Sequence, residues 1–182
     1  MEISIKRWEA LVIFTLIAFG IAMRLLPHPA NLEPIGAIAL FGGATLNKRY
    51  SWWMPVAIMA LSDIYLGFYN SMPFTWLGFL LVSLIGMVIR RHHSWLRIPI
   101  GALSGSLVFF LVSNFGVWAA DGLYAHTWAG LIQCYTLALP FLRPTIEGDL
   151  LYGAIFFGTY ALAMHSTKSK RATRSLAQET DI

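Results

Sequence analysis

All but two of the 13 Lys and Arg residues in this 182-residue chain fall in four short clusters, with long apolar stretches between them. The clusters are Lys6/Arg7, Lys48/Arg49, Arg90/Arg91/Arg97 and Lys168/Lys170/Arg171/Arg174. A chain that gathers its basic residues between apolar runs is built for a bilayer, where cytoplasmic loops carry the Lys and Arg excess. All four clusters are therefore placed in the cytoplasm. Between consecutive clusters the chain must leave and return, which gives three outward excursions and an even number of crossings. An all-α bundle of six transmembrane helices with both termini cytoplasmic is the simplest solution, in the cytoplasmic (inner) membrane of a bacterium.

Composition points the same way. Apolar residues make up 57% and charged residues 12% of the chain, with a mean hydropathy of +0.63, far from a water-soluble domain of this length. The calculated pI near 9.4 does not signal nucleic acid, because the basic residues sit at membrane edges rather than along one helix face or among stacking aromatics. The single cysteine, Cys134, precludes an intrachain disulfide and is read as a small buried hydrophobe.

The first apolar stretch, Trp8 to Leu26, has about the 20 residues that a hydrocarbon core requires. Its run exceeds the roughly 7–15 residues of a signal-peptide core and ends in no small-x-small cleavage site, so it is read as a retained helix. Pro34 to Leu46 is too short for a full span, and it follows an irregular approach through Pro27-His28-Pro29-Ala30-Asn31, buried in protein at membrane depth. Trp52 to Tyr69 and Phe74 to Ile89 form the third and fourth helices, joined by the outward Asn70-Ser71-Met72-Pro73 turn. Ile98 to Trp118 forms the fifth, and Leu150 to His165, after a turn, the sixth. Trp128 to Leu142 is apolar and ends in Pro140 and Pro144. It reads as a re-entrant or interfacial segment of the last outer loop, because a seventh crossing would put the final basic cluster outside. Residues 1–166 thus form one transmembrane domain, and 167–182 a basic, disordered cytoplasmic tail.

Ionisable residues inside a bilayer are candidates for function by default. Under this topology His28, Asn31, Glu33, Asp63, Asn70, Asn114, Asp121, His126, Arg143, Glu147 and Asp149 all fall in the outer half or on outer loops. Asp63 lies within the third helix and needs a partner or a wet cavity; Arg24 and Arg143 are the two basic residues expected on its side. Asn114 can bond across helices or touch a ligand. The window from Trp118 to Trp128 supplies Trp118, Asp121, Tyr124 and His126, the mix of aromatic walls and polar anchors that small-molecule pockets use. Asn70 completes this substrate-binding set. His28, between two prolines, is read as a loop residue rather than a metal ligand. Glu147 and Asp149, two apart, point to different faces of a helix and do not make a catalytic pair. Ala18-x-x-x-Ala22 and Gly101-x-x-x-Gly105 allow close helix approach, within the chain or with a partner. No phosphate-cradling Gly-x-x-x-x-Gly-Lys-Ser/Thr, His-Glu-x-x-His or Gly-x-Ser-x-Gly occurs, so the chain is read as no enzyme, with neither cofactor nor metal.

The layout resembles the substrate-binding S components of energy-coupling factor vitamin transporters. It is closest to a branch that carries Arg24-Leu25-Leu26-Pro27-His28-Pro29, the run from Pro34 to Gly43, and Ser62-Asp63; the resemblance covers about residues 8–165. It implies capture of a vitamin or related micronutrient from outside, among the outer helix ends and loops. It also implies that the Ala18/Ala22 face docks a transmembrane coupling subunit working with two ATPases. Solitary cobalamin transporters of this class hold cobalt with a cysteine, a position that Cys134 does not match.

The expected function is therefore that of a substrate-binding membrane transport component, with ATP hydrolysis left to other chains. Two alternatives stand beside it. One is an intramembrane enzyme acting on a lipid or prenyl substrate through Asp63, His28 and His126; the other is an assembly subunit without a ligand.

Overall fold

A computed structural model describes the backbone of residues 2–90 and 95–180 and the side chains of residues 7–90 and 95–165. Lys6, Arg91 and the basic side chains at 168, 170, 171 and 174 lie outside the described side chains. The described residues form seven helices and no strand: α1 (Glu2–Leu25), α2 (Ile35–Thr45), the single turn α3 (Lys48–Ser51), α4 (Met54–Leu66), α5 (Met72–Ile89), α6 (Arg97–Ala120) and α7 (Trp128–Thr180). Three stretches are long and apolar enough to cross a bilayer: Arg7–Leu25, Met72–Ile89 and Arg97–Ala120.

The centre of the molecule is its shortest apolar helix. Every residue of α2 from Ile35 to Gly43 is buried, as expected of a stretch with no polar side chain on any face. Other helices surround it, with α5, α6 and α7 against it and α4 and α1 to one side. Glycines set the closest approach. A Cβ at Gly43 would overlap the Ser83 carbonyl of α5, and one at Gly86 would overlap the Leu40 carbonyl of α2. The two backbones therefore touch, the geometry that small residues give to helices in membranes. Gly101 and Gly105 face Ile89 and Val82 of α5, so the Gly-x-x-x-Gly pattern of α6 serves packing within the chain. Phe41 anchors α7 to α2, with ring centroids 5.9, 5.2 and 5.8 Å from Phe156, Phe157 and Tyr160.

Both ends of α2 are closed by charged side chains from other helices. At its C-terminal end Arg90 of α5 donates to the carbonyls of Gly43 (2.8 Å) and Leu46. At its N-terminal end Pro34 supplies no side-chain cap, and the Asp149 carboxylate of α7 lies against Gly36 and the Ala37 N–H instead. A positive group at the carbonyl end and a negative one at the N–H end match the helix dipole.

The last outer loop differs from expectation. Trp128 to Leu142 is not a separate re-entrant segment followed by a turn, because α7 runs unbroken through Pro140 and Pro144. Each proline removes one backbone donor, which leaves the carbonyls of Thr136 and Pro140 without their usual i+4 partner. At 53 residues and 1.5 Å per residue the helix is about 80 Å long, well beyond a bilayer's hydrocarbon thickness. Its backbone stays helical to Thr180, across residues expected to form a tail without structure.

Candidate functional site

Around Asp63 the exterior is apolar and the interior polar. Ile64 and Tyr65 of α4 are 69% and 80% exposed, whereas Asp63 and Asp149 are 0% and 4% exposed. Asp63, one turn from the end of α4, is held from two sides. Arg24, in the last turn of α1, donates to its Oδ1 at 2.7 Å, and the indole Nε1 of Trp76 on α5 donates to its Oδ2 at 2.9 Å. Arg24 also reaches the Ser62 hydroxyl, and the Met59 carbonyl at 3.5 Å. Of the two arginines the sequence offers, Arg24 is thus the partner; Arg143 is exposed and pairs along its own helix with Glu147 at 2.8 Å.

Residues 26–34 run as a strap across this end, between α1 and α2. Few bonds hold the strap. Asn31, at a φ of 63° that asparagine tolerates better than most residues, donates to the Thr145 hydroxyl of α7 at 3.3 Å. Glu33 stands 3.9 Å from Nε of Arg24. Within the strap Leu32 N–H bonds the Pro29 carbonyl at 3.0 Å, and a ring nitrogen of His28 lies 2.7 Å from the Leu26 carbonyl. Burial pushes the Glu33 carboxyl above the ordinary carboxylate range, opposed by the nearby charge of Arg24.

Beneath the strap lies a cavity of about 40 Å³. Asn31, Glu33, Thr145 and Asp149 supply its polar wall, and Phe79 and Phe109 its apolar one. The two phenyl rings stack with centroids 4.3 Å apart and planes 26° off parallel. Asp149 reaches this wall because Gly36 lacks a side chain: a Cβ there would overlap the carboxylate. Its Oδ2 accepts from the Ser106 hydroxyl of α6 at 2.6 Å, and no described Lys or Arg forms an ion pair with it. Asp63 and Glu33 thus share the guanidinium of Arg24, while Asp149 stands beside Glu33 on the cavity wall. Among the described residues no group of three or more His, Cys, Asp or Glu side chains is arranged to hold a metal.

A family model described as a family of unknown function, DUF6580, matches residues 4–173. The chain belongs to this DUF6580 family. No curated protein and no solved structure gives a significant match.

In this DUF6580 chain the residues singled out from sequence occupy several places. Asp121 ties the end of α6 to the start of α5, its two oxygens accepting from the Ser71 N–H (2.8 Å) and hydroxyl (2.7 Å). Trp118 donates to the Ala125 carbonyl at 3.0 Å, with its ring 5.4 Å from that of His126. Asn114 bonds the Phe110 carbonyl of its own helix at 2.8 Å, while its backbone carbonyl accepts from buried Cys134 of α7 at 3.4 Å. Asn70 and His126 are exposed and Tyr124 half-buried. Neither these six residues nor Asp63 line the cavity beneath the strap. Ala18 and Ala22 lie exposed on α1, opposite the face where Gly20 meets Ile58 of α4.

Sequence reasoning did not combine Glu33, Thr145 and Asp149 with Gly36. The missing signal was spatial, since Asp149 reaches α2 from more than a hundred residues away. The local hint was a glycine one residue into a helix that begins with an uncapped Pro-Ile.

Proposed function

We propose that this DUF6580 protein is a membrane component that captures a small polar micronutrient, a vitamin or a relative of one, from the outer side. The cavity beneath the strap carries the proposal, because it joins an aromatic wall to a few fixed polar groups at one end of an apolar bundle, the make-up of small-molecule sites. In the proposed topology the chain crosses the bilayer six times with both termini in the cytoplasm, which puts the strap outside. The resemblance to S components supports the same assignment. A coupling subunit on the exposed Ala18/Ala22 face, with its ATPases, would then supply the energy.

In the observed state the strap is down. A cavity of about 40 Å³ has room for a few waters at most, against roughly 300–1,000 Å³ for a site that encloses a drug-sized molecule. Loading a vitamin therefore requires residues 26–34 to lift, breaking the Asn31–Thr145 bond and lengthening the Arg24–Glu33 contact. Both are polar contacts that an incoming substrate can replace.

Native mass spectrometry of the full chain, released from detergent without added ligand and then after incubation with vitamins, tests the proposal. A retained small molecule should appear, with occupancy falling in Thr145→Val and Phe109→Ala. Folded protein that carries no adduct under either condition would contradict it.

A further inference from the structure

We infer that the substrate taken by the cavity beneath the strap carries a positive charge. The inference rests on the uptake role proposed above and names the chemical class it serves. Glu33 and Asp63 share one described cation, Arg24, and Asp63 claims it at 2.7 Å with Trp76 steadying its second oxygen. Glu33 is left with a contact of 3.9 Å and no hydrogen bond to its side chain, on the cavity wall. Asp149 shares that wall, held by the Ser106 hydroxyl and the start of α2 rather than by a cation. The other wall is the stacked pair Phe79 and Phe109, an apolar surface for the uncharged part of a ligand. An anion would meet two carboxyl groups here, whereas a cation stabilises their ionised form and gains two charge partners. An ammonium or a cationic heterocycle fits this polar wall.

Asp63 acquires a positioning role in this scheme. By holding Arg24 it keeps the guanidinium from closing on Glu33, so the Glu33 carboxylate stays available to a ligand. Asp63 itself need not touch the substrate.

The test measures binding of charge-matched probes to the full chain in detergent: choline and thiamine as cations, the uncharged tert-butyl analogue of choline, and biotin and pantothenate as anions. A cation should bind, with the affinity weakened roughly tenfold or more in Glu33→Gln because a charge partner is removed. The tert-butyl analogue and the anions should not bind at matching concentrations. Phe109→Leu, which leaves every charge in place, should weaken the cation by a smaller factor and serves if Glu33→Gln fails to fold. An uncharged or anionic probe that binds equally well to the wild type and to Glu33→Gln would overturn the charge assignment while leaving the uptake role standing. Folded protein that binds no member of the panel would count against both.

Discussion

At the scale of single residues, the arrangement separates charges that hold the protein together from charges free to meet a ligand. Asp63 belongs to the first kind. It is fully buried against Arg24, whose side chain is 12% exposed, and removing one member of such a pair leaves the other uncompensated. Asp63→Ala should therefore cost about 3–5 kcal/mol, read as a lowered midpoint of thermal unfolding in detergent. Arg24→Gln combined with Asp63→Ala should cost less than the sum of the two. Glu33 belongs to the second kind. Burial raises its pKa while Arg24 and His28 lower it and Asp63 raises it further, so the folded state holds its proton to higher pH than the unfolded chain. Stability from this group is full below the ordinary carboxylate pKa and declines as pH rises through the raised value. A pH series of melting temperatures should show that decline, flattened in Glu33→Gln, and a bound cation should offset it. Sequence alone identified Asp63 as a costly intramembrane charge and narrowed its partner to two arginines. It did not single out Asp149, whose meaning depends on the α2 N-terminus that it meets in space.

At the scale of elements, α2 organises the fold through its backbone rather than its side chains. Gly43 and Gly86 allow two helices to touch, and Gly36 admits a carboxylate to the helix end. Gly86→Ala or Gly43→Ala should destabilise by about 1–3 kcal/mol or more, because the obstacle is backbone that cannot rotate away. Gly153→Ala in α7 is the control: a Cβ there meets nothing within 4 Å, and relief of glycine's helix penalty should leave stability unchanged or raise it by up to about 1 kcal/mol. Thermal unfolding of the three variants side by side separates the two cases. The sequence located α2, α4, α5, α6 and the end of α1 to within three residues, because apolar runs bounded by basic clusters and prolines mark their ends; α1 itself starts six residues earlier, at Glu2. It divided α7 wrongly at Pro140 and Pro144, since proline usually stops a helix in water, whereas α7 continues past both.

At the scale of the whole molecule, the apolar exterior and the carboxylates buried at one end make a membrane protein whose polar interior has a single thin cover. The strap from Leu26 to Pro34 is that cover, and its bonds to the bundle are the ones a ligand can replace. Charge clustering indicated the bilayer. It did not distinguish the cavity at the start of α2 from the Trp118–His126 corner, because both lie at helix ends expected on the same side. Hydrogen–deuterium exchange on the nanodisc-embedded chain, with and without the small molecule it retains, separates them most directly. Binding should slow exchange in residues 31–37 and leave 118–128 unchanged. Protection confined to 118–128, or none at all with ligand demonstrably bound, would contradict the placement of the site beneath the strap.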